Sequence, residues 1–304
     1  MRDWLRSHLS SVYERVLHHE ISGAPEHVAV IQDGNRRFAR ERGGEPTSGH
    51  DAGARTTEQI LEWSAEVGVE ELTLYAFSTE NFKRPPAERE HLFDLLESKL
   101  YDFADADRVH EDGVRVRAIG ETSRLPERVQ EAIAYAERRT ADYDEFTLNV
   151  AVAYGGRSEL LRAARDVARS VDAGELDPGD VTKETVESRL YDGEVRDVDL
   201  IVRTGGDERT SNFLPWHANG NEAAAYFCTP YWPEFSKIDF LRAIRTYEAR
   251  EASWRRTRAE RALAVVRALG GEVPRARELL DRFRTDDSAT FETEEGDGDA
   301  PVAD

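Results

Sequence analysis

Six short runs rich in β-branched and aromatic residues recur along the chain with helical stretches between them. The runs are His27 to Gln32, Glu71 to Phe77, Val114 to Ile119, Phe146 to Ala153, Val198 to Arg203 and Ala225 to Thr229. Helical patterns fill about 51–67, 87–107, 123–140, 157–170 and 181–190, with a long one near 236–270. This alternation predicts the fold class α/β, a central mostly parallel six-stranded sheet covered by helices on both faces. No internal repeat or composition break divides residues 22–284, so the body is expected to be a single domain.

Two flanking segments read differently. Over residues 1–21, Trp4, Leu5, Leu9, Val12, Val16 and Leu17 fall near one helical face; packing on the body, resting on a lipid surface and a frayed leader are the alternatives. Residues 285–304 carry eight acidic residues and no basic ones, the composition of a disordered, solvating tail.

Charge narrows the function. The 304 residues hold 61 acidic and 41 basic side chains, a formal charge of −20 that becomes −12 without the tail. Such a balance opposes nucleic-acid backbone binding but leaves room for a small basic pocket that takes a phosphorylated metabolite. Only Lys83, Lys99, Lys183 and Lys237 are lysines, and the other basic residues are arginine. An acid-rich, lysine-poor surface suits a protein working in concentrated salt, where carboxylate repulsion is screened; an ordinary acidic cytosolic protein is the alternative. Cys228 is the single cysteine and reads as a small buried hydrophobe. With no signal core and no membrane-length apolar run, the expectation is a soluble, cytoplasmic protein.

The least ordinary residues sit where the strands end, which is where open α/β sheets collect ligands. The first strand empties into Asp33, Gly34, Asn35, Arg36, Arg37 and Phe38. Gly34 permits a tight bend, successive N–H groups and guanidiniums suit a diphosphate, and Asp33 needs a bridging Mg²⁺ to share that site; a plain Asp-Gly turn is the alternative. His50, in Gly49-His50-Asp51-Ala52-Gly53, donates to a phosphate or caps a helix. The second strand leads into Ser78, Thr79, Glu80, Asn81, Phe82, Lys83 and Arg84, a set that surrounds an apolar substrate with a charged head or caps the next helix. In that helix Leu92, Phe93, Leu95, Leu96 and Leu100 are core or the wall of a hydrocarbon site. The fifth strand ends in Arg203, followed by Arg209, Thr210 and Ser211, with Glu222 beyond. Two arginines six apart and flexible glycines suit a second diphosphate, and Glu222 a second carboxylate near a cation; a surface salt-bridge network is the alternative. Anchor residues of ATPase, dinucleotide, serine hydrolase and zincin templates are missing.

Together these blocks resemble the cis-prenyltransferases, the family of undecaprenyl and dehydrodolichyl diphosphate synthases. The matching stretches are HVAVIQDGNRRFA at 27–39, GHDAG at 49–53, LTLYAFSTENFKRP at 72–85, LNVAVAYGGRSE at 148–159 and VDLIVRTGGDERTSNFLPW at 198–216, in family order across roughly 22–255. The resemblance implies a homodimeric, Mg²⁺-dependent transferase at the cytosolic face of the membrane, with peripheral membrane contact for product release. It would add isopentenyl diphosphate in cis to an allylic diphosphate and release diphosphate. Asp33 and Glu222 would form the metal environment. Gly34, Asn35, Arg36, Arg37, Phe38 and His50 would hold the starter. Asn81, with Ser78, Thr79, Glu80, Phe82 and Arg84, would position the reacting groups. Arg203, Arg209, Thr210 and Ser211 would hold isopentenyl diphosphate. Asn81 is a poor base by intrinsic pKa, so proton transfer to a diphosphate oxygen stands beside direct abstraction.

The acidic, arginine-rich composition with DGNRR further implies a halophilic archaeal member, a geranylgeranyl diphosphate starter and a glycosyl carrier lipid of roughly ten to twelve isoprene units. A short-chain synthase and a noncatalytic partner subunit are the alternatives. The chain also departs from the bacterial pattern. Pro46 stands where those members place a phosphate-binding arginine, leaving Arg36, Arg40 or Arg42 to replace it, and Glu208 stands where many place histidine.

Overall fold

The computed structural model describes residues 2–190, 196–219 and 223–251. Helix α1 (Arg2–Glu20) forms where the apolar stripe predicts it and belongs to a compact unit distinct from the body, Ile21–Glu251. The predicted tail and the far end of the last predicted helix lie outside the described residues.

In the body, β1 (His27–Ile31) is followed by α2 (Asn35–Glu41) and α3 (Pro46–Val67), then β2 (Glu71–Ser78), α4 (Pro86–Ala104), α5 (Asp107–Glu111) and β3 (Val114–Ile119). The chain continues through α6 (Glu127–Arg139), β4 (Phe146–Tyr154), α7 (Gly156–Asp172) and α8 (Lys183–Glu187) to β5 (Leu200–Arg203), α9 (Pro215–Asn219), β6 (Ala224–Phe227) and α10 (Lys237–Glu251). The sheet order is β3-β4-β2-β1-β5-β6, and all five pairings are parallel. This is the predicted six-stranded α/β sheet.

Parallel strands bury both faces, which is why β1 reads as an apolar run from Val28 to Ile31 and all five of its residues, His27 included, are buried. Val28 and Val30 face one core with Leu72, Leu74 and Leu148. Ala29 and Ile31 face the other with Ala151, Ile201 and Phe213. A third cluster joins α4 and α6 through Phe77, Phe93, Leu100, Val129 and Ile133. Cys228 is buried as expected, and burial raises its thiol pKa to about 12.

One irregularity aims the site. β2 pairs Tyr75 with Ala151 but Phe77 with Val152, so Ala76 is an extra residue at the carboxyl end of the strand. Such a bulge reverses the pleat. It sends Phe77 into the α4–α6 core instead of leaving it on the same face as Tyr75.

Candidate active site

Because β1 lies beside β5 with Ile31 opposite Arg203, the two strands empty next to each other. Arg203 is buried and forked between both loops. Its Nη2 donates to Asp33 Oδ2 at 2.6 Å and to Asp207 Oδ2 at 3.2 Å, while its Nη1 donates to the Arg209 carbonyl at 2.6 Å and to the Ser211 hydroxyl. Its Nε is buried with no hydrogen-bond partner, a donor that lacks an acceptor. Thr204 fixes the other side of Asp33: its hydroxyl donates to the Asp33 carbonyl at 2.7 Å and accepts the Asp33 N–H at 3.0 Å.

The Asp33 carboxylate also accepts the Gly34 N–H at 2.6 Å and lies 3.2 Å from the Arg37 guanidinium. Burial pushes its pKa up, but Arg203, Arg37 and the Gly34 N–H together hold it below the ordinary value. Gly34 adopts φ 102°, and a Cβ there would lie 2.5 Å from the Tyr231 ring. Gly49 is needed for a different reason, since a Cβ on it would lie 2.0 Å from the Asn35 carbonyl where α3 crosses the start of α2.

A second nest of charge faces the first. Glu88, in the first turn of α4, is buried and receives Arg84 Nη1 at 2.5 Å; His50 Nε2 lies 3.3 Å away and Arg36 Nε 3.4 Å away. Burial raises the Glu88 pKa, and the Arg84 and His50 hydrogen bonds with the Arg84 and Arg36 charges outweigh it. Burial first and Arg84 second lower the His50 pKa, so His50 is held neutral. Asn81 lies in the turn Thr79–Lys83, where its Oδ1 accepts the Ser78 N–H at 2.8 Å.

These groups ring the mouth of a cavity of about 490 Å³. Asp33, Asn35, His50, Ser78, Glu80, Asn81, Arg84, Arg203, Arg209 and Ser211 line its polar end; Leu61 of α3, Leu92, Leu95, Leu96 and Leu100 of α4, and Leu74, Val116, Leu148 and Val150 of the sheet line the rest. Of the apolar stripe predicted on α4, four leucines form cavity wall and Phe93 packs into the core. A second cavity, about 570 Å³, holds Gly34, Arg36, Arg37, Arg40 and Pro46 and shares Asp33, Asn35, His50 and Arg84 with the first.

Four expected residues line neither cavity. The Phe38 ring lies under the Arg42 guanidinium at 3.8 Å. Phe82 turns its ring toward Phe77, 5.0 Å between centroids, with Arg124 over it. Thr79 packs against Gly155, and the Thr210 carbonyl accepts the Phe213 N–H at 3.0 Å. Glu222 lies outside the described residues. Conversely, Glu88, Asp207 and Thr204 were not singled out by the sequence reading. Only the spacing of Glu88 four residues after Arg84 signalled a pair.

Among the described residues, Glu187, Asp197 and His217 also bring ligand atoms within 4.8 Å of one another. Lys183 lies 3.1 Å from Glu187, and His217 Nδ1 lies 2.9 Å from Asp197, so these groups pair with one another, and none of them lines either cavity. No helix among the described residues is long and apolar enough to cross a membrane.

A buried arginine fork, an aspartate held ionised and an apolar cavity on a parallel sheet have the chemistry to hold an anionic head beside a hydrocarbon tail. Residues 31–255 match the family model described as "Putative undecaprenyl diphosphate synthase". The chain is 72% identical over 284 residues to a tritrans,polycis-undecaprenyl-diphosphate synthase (geranylgeranyl-diphosphate specific) of Halobacterium salinarum, covering 93% of this chain and 94% of the relative. The enzyme of the same name from Methanosarcina mazei is 48% identical over 254 residues, with 82% and 85% covered. Among solved structures, lavandulyl diphosphate synthase from Lavandula x intermedia in complex with dimethylallyl diphosphate superimposes with TM-score 0.69 at 33% identity, over 74% of this chain and 95% of that one. A probable undecaprenyl diphosphate synthase from Campylobacter jejuni gives TM-score 0.60 at 33% identity, with 78% and 98% covered.

The chain therefore belongs to the undecaprenyl diphosphate synthase family of prenyltransferases. It is a transferase of polyprenyl diphosphate synthesis, and its haloarchaeal relatives agree with the salt-adapted composition.

Proposed function

We propose that the protein extends geranylgeranyl diphosphate by successive cis additions of isopentenyl diphosphate, giving a polyprenyl diphosphate of roughly ten to twelve isoprene units for a glycosyl carrier lipid. The observation that carries this reading is the continuity of the Asp33–Arg203 mouth with the leucine-lined cavity. In it, the starter's diphosphate lies among Asp33, His50, Arg36 and Arg37 with its tail against the α4 leucines. Isopentenyl diphosphate lies on Arg203, Arg209 and Ser211, where the orphaned Arg203 Nε–H finds its acceptor.

Asp33, an ionised hard-oxygen ligand, fits Mg²⁺; the family resemblance adds Glu222, which lies outside the described residues. Bound there, Mg²⁺ would neutralise charge that develops on the departing diphosphate. Arg36, Arg37 and the loop N–H groups stabilise the same charge, and the apolar wall keeps water from the allylic carbocation. Because Asn81 Oδ1 is held by the Ser78 N–H, the amide presents its NH₂ donor to the cavity. That supports Asn81 as the group that orients a diphosphate oxygen, with the oxygen taking the proton. A homodimer and peripheral membrane contact belong to the same reading.

Radiolabelled isopentenyl diphosphate supplied with geranyl, farnesyl or geranylgeranyl diphosphate tests it, with product length as the readout. Long products made best from geranylgeranyl diphosphate are expected. Incorporation with no starter would defeat the transferase assignment of this site, and products extended by one or two units would indicate the short-chain alternative.

A further inference from the structure

The second cavity contains more cations than carboxylates, and its arginines are not equally occupied. Arg37 Nη2 lies 3.2 Å from Asp33 and 3.9 Å from Asp207. Arg84 and Arg36 are both drawn to Glu88, at 2.5 and 3.4 Å. Just outside the cavity, Arg42 is paired with Glu234 at 2.7 Å and stacked on Phe38. Arg40, one turn after Arg36 on α2, lines the cavity, is exposed, and forms no ion pair among the described residues. Pro46, which also lines this cavity, brings neither a charge nor an N–H.

We propose that Arg40 is a starter-positioning residue that places its guanidinium on the outer phosphate of the allylic diphosphate. This rests on the reading of the cavity as a diphosphate site. Of the three arginines that the sequence left open as the missing phosphate contact, Arg42 is paired with Glu234 and Arg36 already serves the diphosphate beside Asp33 in the same reading; Arg40 has a free fork and supplies the further contact. In molar salt the Debye length is about 3 Å, so a charge acts on a ligand only by direct contact. A planar guanidinium that meets two phosphate oxygens keeps its geometry there, whereas a lysine ammonium offers one point of charge.

Steady-state KM values for the two substrates, measured for R40A, R40K and R42A at one KCl concentration, test the assignment. R40A should raise the KM of the allylic diphosphate by about tenfold, the weight of one charged hydrogen bond, and leave that of isopentenyl diphosphate unchanged. R40K should fall between R40A and the parent, and R42A, which removes the same charge two residues further on, should match the parent. An unchanged starter KM in R40A, equal rises for both substrates, or an R42A effect as large as that of R40A would overturn the proposal. Calorimetric titration with inorganic diphosphate, isopentenyl diphosphate being saturating, decides the point without turnover. Equal affinity in R40A and the parent would reject Arg40 even in an active enzyme, and weaker binding in R40A alone would uphold it even if no starter were elongated.

Discussion

The mouth and the wall of the cavity follow opposite rules. At the mouth, charges answer one another in two nests: Asp33 and Asp207 with Arg37, Arg203 and Arg209, and Glu88 with Arg36 and Arg84 beside the neutral His50. Along the wall, leucines and valines from α3, α4 and the sheet dominate, and the charged side chains there are the exposed Glu58, Lys99 and Asp102, which pair with one another. Pairs can be exchanged for ligand charges at little net cost, whereas a packed apolar wall responds only to volume. Substitutions at the mouth should therefore change rate and affinity, and substitutions in the wall should change how long a chain fits.

The largest effect is expected from Asp33→Asn. Turnover should fall on the order of a thousandfold, as when a group that stabilises transition-state charge is removed, while product length and Tm stay near those of the parent because Asp207 still pairs with Arg203. Near-normal kcat at saturating Mg²⁺ would erase the distinction between mouth and wall.

Next come the two arginines of the fifth strand's loop, which differ in burial. Arg203→Ala should weaken isopentenyl diphosphate binding by about 2–5 kcal/mol, because it removes a buried, hydrogen-bonded charge; Tm should drop as well. The exposed Arg209 should cost about 1 kcal/mol or less, with no change in Tm. Separate KM values for the two substrates check the pair, and a defect confined to the starter would exchange the two subsites.

A smaller effect concerns pH. The folded protein holds His50 neutral through burial and the Arg84 charge, whereas the unfolded chain protonates near the ordinary value of 6.5. Stability should thus decline as pH falls below about 6.5, by at most about 1.4 kcal/mol per pH unit from this group until its lowered folded pKa is passed. Asp33 and Glu88 contribute nothing to that slope, since their lowered pKa values keep their share intact until more acidic pH. Thermal melts from about pH 7.5 to 5.5 should show a flatter slope in His50→Gln; an unchanged slope would place the titration elsewhere.

The smallest effect should come from the acidic tail, which lies apart from both regions in sequence. Truncation after Arg284 should keep full turnover in molar KCl and still lose structure on dilution of salt, because the body's own carboxylates repel one another where the Debye length approaches 30 Å, near 0.01 M. Circular dichroism across a KCl series decides it, and equal stability at low and high salt would contradict the salt-adapted reading.

The sheet was legible because its central strands, such as β1 and β5, are buried on both faces as apolar runs between helices, while the edge strand β3 alternates apolar residues with Arg115 and Arg117. Helix α2 was not, since Asn35–Glu41 is arginine-rich and buries only Ala39. At the site, Arg203 at the end of β5 and Asp33, Asn81, Arg209 and Ser211 in the loops that follow β1, β2 and β5 all reach the cavity. Their sequence neighbours Phe38, Thr79, Phe82 and Thr210 do not, because adjacency in a turn says nothing about which side a side chain leaves. The Ala76 bulge carries no sequence signal, yet it sets the direction of Phe77 and of the turn after it. Glu88 looked like an ordinary acidic residue at a helix start, and only the approach of α2 and α3 to α4 makes it the anchor of two arginines and a neutral histidine.

The division between mouth and wall is tested most directly by product length in Leu96→Trp. Leu96 is half-buried on α4 and lines the cavity well away in sequence from the charged loops. With radiolabelled isopentenyl diphosphate and a geranylgeranyl starter, the first addition should be as fast as the parent's and the final product several isoprene units shorter. An unchanged product distribution, or loss of the first addition itself, would contradict the claim that the head of the substrate is held at the mouth while its tail fills the leucine-lined cavity.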